Sequence, residues 1–517
     1  MKKNVLFYVC ALLLLPLAVS ASIIKVNIDG INYKLDTSNN TAEVIKWSNL
    51  SNKYTGDVVI PSTVTDYGIE YSVTGIGNNV FDSCTELTSV TFPHTITSIG
   101  YEVFRDCTGL VSIVIEEGCQ KYDSRENCNA IIETAGNKII YGCNGTTIPS
   151  SVTAIGKHAF LGCNGPISVI IPDDGVMSIE NEAFKKCNGI TSVYIGKGVT
   201  NIENDAFFSC SNLTKVEINN NAMVSKSYEG QSPISAFFGS QVKEFILGEE
   251  VTSIGNYAFY YSFMTSLHMS DNVTTIGEKA FLACSQLSSI RLSNSLTSIG
   301  EYAFQNCQSL TSIIIPESMR TIGFWAFGWC NNLERVEIYS NEIVSRENNE
   351  QYYSLPSCFG QQVKEYILGE DVTGIGSFAF FESNELTSAN IPSNVTCVGD
   401  SAFSKCQDLA DVYCYAVQVP ETGKDVFILS NYTNATLHVP AVSLEAYKNT
   451  LPWKDFWRIV PLTDDDPKPT GIEVSTAKQL PTIIERYTID GKRITTPQRG
   501  LNIVKMSDGT TKKIIVK

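Results

Sequence analysis

Sixteen cysteines, four histidines and a few adjacent carboxylates are the residues of this 517-residue chain whose types could do chemistry. His94, His158, His268 and His438 form no His-x-x-x-His pair and have no acid cluster beside them in the sequence. A metal site or a catalytic triad therefore has no motif to start from. Glu249 with Glu250, and Glu370 with Asp371, are carboxylate pairs of the kind that can hold Ca²⁺. They match no calcium-loop spacing and read as a solvated edge. Gly374-Ile-Gly376-Ser-Phe-Ala379 formally fits a dinucleotide fingerprint, but the strand-to-helix context that gives such glycines their meaning is missing. No catalytic residue, no cofactor and no metal is expected, and the chain is not expected to be an enzyme.

One further set is aromatic. Tyr257, Tyr260, Tyr261, Tyr302, Phe324, Trp325, Trp329, Phe378 and Phe381 stand at positions that earlier copies of a recurring phrase fill with Asn, Asp, Lys or Ser. Clustered exposed aromatics mark recognition of protein or sugar. The competing account is that two duplicated loops, carrying Tyr228, Phe237, Phe238, Tyr352 and Tyr353, fold back and bury them.

The element that must position these residues is the phrase itself. It is plainest in Leu296-Thr-Ser-Ile-Gly-Glu-Tyr-Ala-Phe-Gln-Asn-Cys-Gln-Ser-Leu310. An Ile-Gly or equivalent pair returns at Ile76, Ile99, Ile155, Ile179, Ile202, Ile254, Ile276, Ile299, Ile322, Ile375 and Val398, a unit of about 23 residues with three longer intervals. Four residues after the Gly position comes Phe81, Phe104, Phe160, Phe184, Phe207, Phe259, Phe281, Phe304, Phe327, Phe380 or Phe403. Three further on stands Cys84, Cys107, Cys163, Cys187, Cys210, Cys284, Cys307, Cys330 or Cys406, replaced by Ser262 and Ser383. A period-two strand such as Leu310, Ile313, Ile315 follows, often closed by proline as at Pro316.

Such a unit cannot bury its own apolar face. The Leu-x-x-Ile-x-Ile strand points its apolar residues one way, the following Val-x-x-Ile forms a second wall, and Phe fills the centre after a tight turn. Stacking identical rungs buries all three and pairs each strand in parallel with its neighbours at about 4.8 Å. Counting the long intervals as two units gives roughly 16 or 17 rungs and a stack on the order of 80 Å long. Stacked cysteines would hold their Cβ atoms about 4.8 Å apart, against about 3.8 Å in a disulfide, so a column of free thiols is expected. Cys119 with Cys128 stays open as a local bridge.

Two long intervals copy one another, Leu213 to Gly248 and Leu333 to Gly369, with longer loops at about 219–236 and 339–357. The third contains Asn129-Ala-Ile-Ile-Glu-Thr and Asn137-Lys-Ile-Ile-Tyr, which read as a hairpin-like variant rung. Residues 1–22, with Lys2, Lys3, an apolar run and small residues at Ala18, Ser20 and Ala21, read as a secretory signal. Residues 23–66 read as an N-terminal β cap, 67–462 as the solenoid with its terminal cap, 463–470 as a linker and 471–517 as a small β module. The formal charge of -16 makes nucleic acid and anionic membrane surfaces poor partners. Beyond the signal no stretch approaches a membrane span.

The unit Leu-x-x-Ile-x-Ile-Pro-x-x-Val-x-x-Ile-Gly-x-x-Ala-Phe-x-x-Cys resembles the BspA-like class of bacterial leucine-rich repeats over about residues 58–440. The resemblance implies a right-handed, β-rich leucine-rich-repeat solenoid of about 23-residue rungs with short helical turns, in a family associated with adhesion to host matrix proteins and to other bacteria. Arg486-Tyr-Thr-Ile-Asp-Gly-Lys-Arg-Ile through Lys517 looks like the C-terminal sorting domains of type IX secretion. The expectation is an exported, monomeric scaffold, secreted or on the cell surface in association with the outer membrane, that binds an extracellular protein. Capture of a surface glycan is the alternative.

Overall fold

The computed structural model describes residues 23–46, 53–165, 168–347 and 354–467, and beyond them the backbone of four strands. The signal at 1–22, Tyr352 and Tyr353, the Asp490–Gly491 turn and the end of the 463–470 linker lie outside the described residues. The chain forms two units that divide between Asp464 and Asp465.

The first unit is a β-solenoid of about 16 turns at a spacing of about 23 residues. Each rung contributes a four-residue strand in which alternate residues are buried, as in Ser312–Ile315 and Arg335–Ile338. These strands pair in parallel and in register, Ile313 opposite Val336 and Ile315 opposite Ile338. The Val-x-x-Ile segment supplies a second, two-residue strand, and these pair in parallel too, Ser298–Ile299 lying between Thr275–Ile276 and Thr321–Ile322. Between the two walls run the phenylalanines. Phe281, Phe304 and Phe327 stack with centroids 4.9 Å apart and planes within 8°, close to the strand spacing that sets their separation.

The ends and interruptions obey the same need for burial. Ile23–Ile28, Ile31–Asp36 and Thr41–Val44 form an antiparallel meander, and Thr41–Val44 then pairs in parallel with Ile69–Ile76 to start the stack. Ala130–Glu133 and Lys138–Gly142 make the antiparallel pair of the variant rung. In the duplicated intervals, short helices Asn221–Val224 and Asn341–Val344 replace the second wall. Their last carbonyls, Val224 O and Val344 O, accept from Gly255 and Gly376 at 2.8 and 2.9 Å. Helices Ile234–Phe238 and Leu355–Phe359 then bring Phe238 and Phe359 into the ring column, Phe359 stacking on Phe327 at 5.2 Å. Among the described residues the remaining α-helix is Leu444–Asn449, in the terminal cap with buried Tyr447, Trp453 and Phe456.

The phrase runs one turn further than its wording: Phe427 stacks on Phe403 at 5.5 Å. The second unit contains four antiparallel strands, Ile483–Thr488, Arg493–Ile494, Gly500–Met506 and Thr511–Val516.

Candidate binding site on the turn side

The cysteines resolve first, because their geometry is uniform. All fifteen described cysteines are free thiols, Cys119 and Cys128 included, so the local bridge left open above does not form. Cys187, Cys210, Cys284, Cys330 and Cys406 each donate to the carbonyl of the phenylalanine one rung earlier, at 2.9 to 3.2 Å. Burial pushes the thiols of Cys107, Cys284 and Cys406 up to about 12, far from nucleophilic activation. The two serines have a reason. In the interrupted rungs Gln241 and Gln362 take the cysteine position, three residues after Phe238 and Phe359, and their amides donate to Phe238 O and Phe359 O at 2.7 and 2.8 Å. With that carbonyl engaged, the next rung carries Ser262 or Ser383, and Ser383 Oγ is buried without a hydrogen bond.

The histidines differ from the sequence reading. Each has a carboxylate beside it, supplied by a neighbouring rung: His94 by Glu116 at 3.4 Å, His158 by Glu182 at 2.6 Å, His268 by Glu244 at 3.9 Å and His438 by Asp411 at 2.9 Å. Hydrogen bonds from Lys185 and His158 hold the Glu182 carboxyl below its usual range. Among the described residues no group of three or more His, Cys, Asp or Glu is placed to hold a metal. Gly374–Ile375 is a two-residue strand of the second wall. A Cβ on Gly376 would lie 2.0 Å from Arg346 O, so that glycine admits the backbone of the interrupting loop.

The aromatic positions follow from the turn. Each turn has two residues in the left-handed region, two before and two after its phenylalanine. These are Glu102 and Asp106 in one rung, Trp325 and Trp329 in another, with φ of 49°, 56°, 51° and 57°. In an ordinary rung the second of them donates its N–H to the next rung's turn, as Asn306 does to Gly328 O at 2.8 Å. Of the nine aromatics, Tyr257, Tyr261, Tyr302, Trp325, Trp329 and Phe378 take left-handed positions. Trp329 and Tyr261 are exposed, at 58% and 60%, and the other seven are half-buried. Loop burial therefore does not account for them all.

They form two groups joined by Tyr302. Tyr257, Tyr260 and Tyr261 pack edge to face. Lys279 accompanies them, with its Nζ 5.2 Å from the Tyr257 ring, 5.6 Å from the Tyr302 ring and 2.9 Å from the Tyr257 hydroxyl. The Glu278 carboxylate and that hydroxyl raise the Lys279 ammonium above its ordinary range. Tyr302 meets Phe324 at 6.2 Å. Phe324 leads to Trp325, and Trp325 to Trp329 at 5.4 Å with planes 71° apart. Here the stack is interrupted: Trp325 and Phe327 donate to Ser357 O and Cys358 O of the inserted helix at 2.8 Å. The bond that Asn306 makes has no counterpart at Trp329 among the described residues. A cleft of about 500 Å³ opens there, lined by Phe324, Trp325, Trp329, the Ser354–Gln362 segment, Phe381, Glu382 and Glu385. Phe378 packs on Phe381 at 5.5 Å outside the cleft lining. Sequence reasoning missed the polar lining, Asn331, Gln361, Glu382 and Glu385; aligning the rungs by their phenylalanines puts Glu382 two residues after Phe380, opposite Trp329.

The sequence profile of the BspA type leucine rich repeat region (6 copies) matches residues 60–135, 133–262, 252–354 and 353–451. The chain belongs to this family. No curated protein sequence matches it. Among solved structures, a leucine-rich repeat protein from Bacteroides ovatus is 24% identical over 85% of this chain and 100% of its own, with a TM-score of 0.36. A leucine rich cell surface protein from Faecalibacterium prausnitzii is 24% identical over 71% and 94%, at 0.29. The pneumococcal vaccine antigen PcpA is 14% identical over 86% and 100%, at 0.28. Among the described residues of this BspA-type chain no helix is long and apolar enough to cross a membrane.

Proposed function

We propose that this BspA-type chain is an exported scaffold that binds a host or microbial macromolecule through the aromatic face of its turns, without catalysing a reaction. The observation that carries the reading is the Trp325–Trp329 corner over a cleft of about 500 Å³, at turn positions that the first copy of the duplicated interval fills with Asp205 and Ser209. Exposed aromatics around a concavity are the usual anchors of recognition. The reading takes residues 1–22 as the export signal, 463–470 as a linker and 471–517 as a sorting module, with the chain monomeric at the cell surface in association with the outer membrane. The four antiparallel strands after residue 482 support a separate β module there, and the net charge of -16 supports a protein or glycan partner over nucleic acid. The test immobilises the purified protein and passes matrix proteins, mucin and bacterial cells over it beside an unrelated acidic control. Retention that falls in Trp325→Asn and Trp329→Asn is expected; retention no better than the control overturns the reading.

Glycan capture is the second reading, favoured by the exposed Trp329 face beside the Asn331 and Gln361 amides. A glycan array in which one defined sugar binds and is lost with Trp329→Asn selects it.

A further inference from the structure

Resting on the turn-side reading above, we infer that the Trp325–Trp329 cleft receives an arginine side chain from a protein partner. The lining is electrostatically one-sided. Four aromatic rings, Phe324, Trp325, Trp329 and Phe381, surround it, its charged residues are Glu382 and Glu385, and no cation lines it among the described residues.

The same face shows what its aromatics accept where the chain supplies a partner. Lys279 lies against both Tyr257 and Tyr302. Lys405 sits 4.6 Å from the Phe381 centroid and pairs with Glu382 at 2.6 Å. A cation on a ring, with a carboxylate beside it, is thus already built at one edge of the cleft. The opposite half repeats the rings and the carboxylate: Trp325 and Trp329 stand at 71°, and Glu385 has Lys364 within electrostatic range, but that ammonium makes its salt bridge to Glu334, at 2.7 Å. Tryptophan offers the best face for a cation. A guanidinium stacks flat on such a face while its edge donates in parallel to a carboxylate, which an ammonium cannot do. The chain's charge of -16 favours approach of a basic segment.

The probe is acetyl-Gly-Gly-Arg-Gly-Gly-amide, with citrulline in place of arginine as its neutral isostere and cellohexaose as the sugar control. Binding to the full chain is followed by tryptophan fluorescence and by saturation transfer to the probe protons. The expected result is at least tenfold tighter binding of the arginine peptide than of the citrulline peptide. That preference should fall below threefold in Glu385→Gln and in Trp329→Asn, both at solvent-facing positions and both checked for an unchanged circular-dichroism spectrum. Equal affinity for the two peptides, tighter binding of cellohexaose, or no saturable binding of the arginine peptide overturns the inference. A macromolecule retained through Trp329, yet unaffected when butanedione blocks its arginines, overturns it as well and leaves the turn-side reading standing. Retention of no macromolecule, with the arginine preference intact, removes that reading and upholds the chemistry of the cleft.

Discussion

Replacing cysteines of the turn column by serine should change how the stability of the solenoid depends on pH. Burial pushes the thiols of Cys107, Cys284 and Cys406 from 9.0 to about 12, while in the unfolded chain they ionise near the ordinary value. A folded pKa raised above the unfolded one gives stability that is fully present below pH 9 and lost as pH rises toward 12, because above 9 the unfolded state sheds protons that the folded state keeps. At pH 10 the unfolded thiol is one unit past its midpoint, which costs about 1.4 kcal/mol per site relative to pH 8. For the three sites together that is about 4 kcal/mol, a large share of the stability of an ordinary domain. Serine is the substitution the chain itself makes at this position, in Ser262 and Ser383, and it does not titrate in this range. The experiment compares wild type with Cys107→Ser/Cys284→Ser/Cys406→Ser by urea titration under a phosphine reductant at pH 8, 9 and 10, read by far-ultraviolet circular dichroism. Wild type is expected to be the more stable at pH 8, and its advantage to shrink by about 4 kcal/mol at pH 10, the tyrosine and lysine titrations cancelling in the difference. An advantage that stays constant across that range would mean the thiols ionise as freely in the fold as out of it, and the argument from burial would fail.

Three other outcomes are expected. Phe304→Ala removes a fully buried ring stacked on both sides and should cost about 3–5 kcal/mol, with amide-exchange protection lost first in the rungs of Phe281 and Phe327; uniform loss along the array would show that rungs do not open locally. Gln241→Ala deletes hydrogen bonds to Phe238 O and Cys210 O and should lower the urea-derived stability by about 1–3 kcal/mol, whereas no change would remove the explanation offered for Ser262. Trp329→Asn puts a residue tolerant of left-handed backbone at φ 57° and, losing only one ring contact, should alter stability by less than about 1 kcal/mol while reducing binding; a larger loss would make Trp329 a structural residue.

The scaffold was readable because stacking writes each contact into the sequence as a recurrence. Phe304 meets Phe281 because both hold the same place in consecutive rungs, and Cys307 follows for the same reason. Features that depend on comparing rungs were harder to see. The partners of His94 and His158 lie one period away, at Glu116 and Glu182, so a search for neighbouring acids passes over them. Phe427 was missed because Thr422 and Ser430 replace the Ile and Cys that flag the other turns. Gln241 and Gln362 hide in the cysteine place, and their consequence appears only in the next rung. The nine aromatics were legible as departures from the phrase. Their division into a lysine-bridged group and a cleft was not, since it depends on a turn-to-turn hydrogen bond that ends at Trp329.

That break is where the proposed binding falls, and the backbone there supports the proposal. Left-handed turn residues cost on the order of 1–3 kcal/mol for side chains other than glycine, least for Asn and Asp. Most turns use such small polar residues or flexible charged ones, as at Asn79, Asp106, Lys186 and Asn306. Six of the left-handed positions from Tyr257 to Phe378 are instead aromatic, a bulky class poorly suited to that backbone. Core packing cannot offset the strain at Trp329, which is 58% exposed, and the ring column is already filled by Phe327 and Phe359. In the first copy of the duplicated interval the corresponding residues are Asp205 and Ser209, with the same left-handed backbone, so the fold tolerates the polar choice at an identical interruption. The tryptophans in the second copy answer to something other than the scaffold, and the open cleft beside them is where it would act.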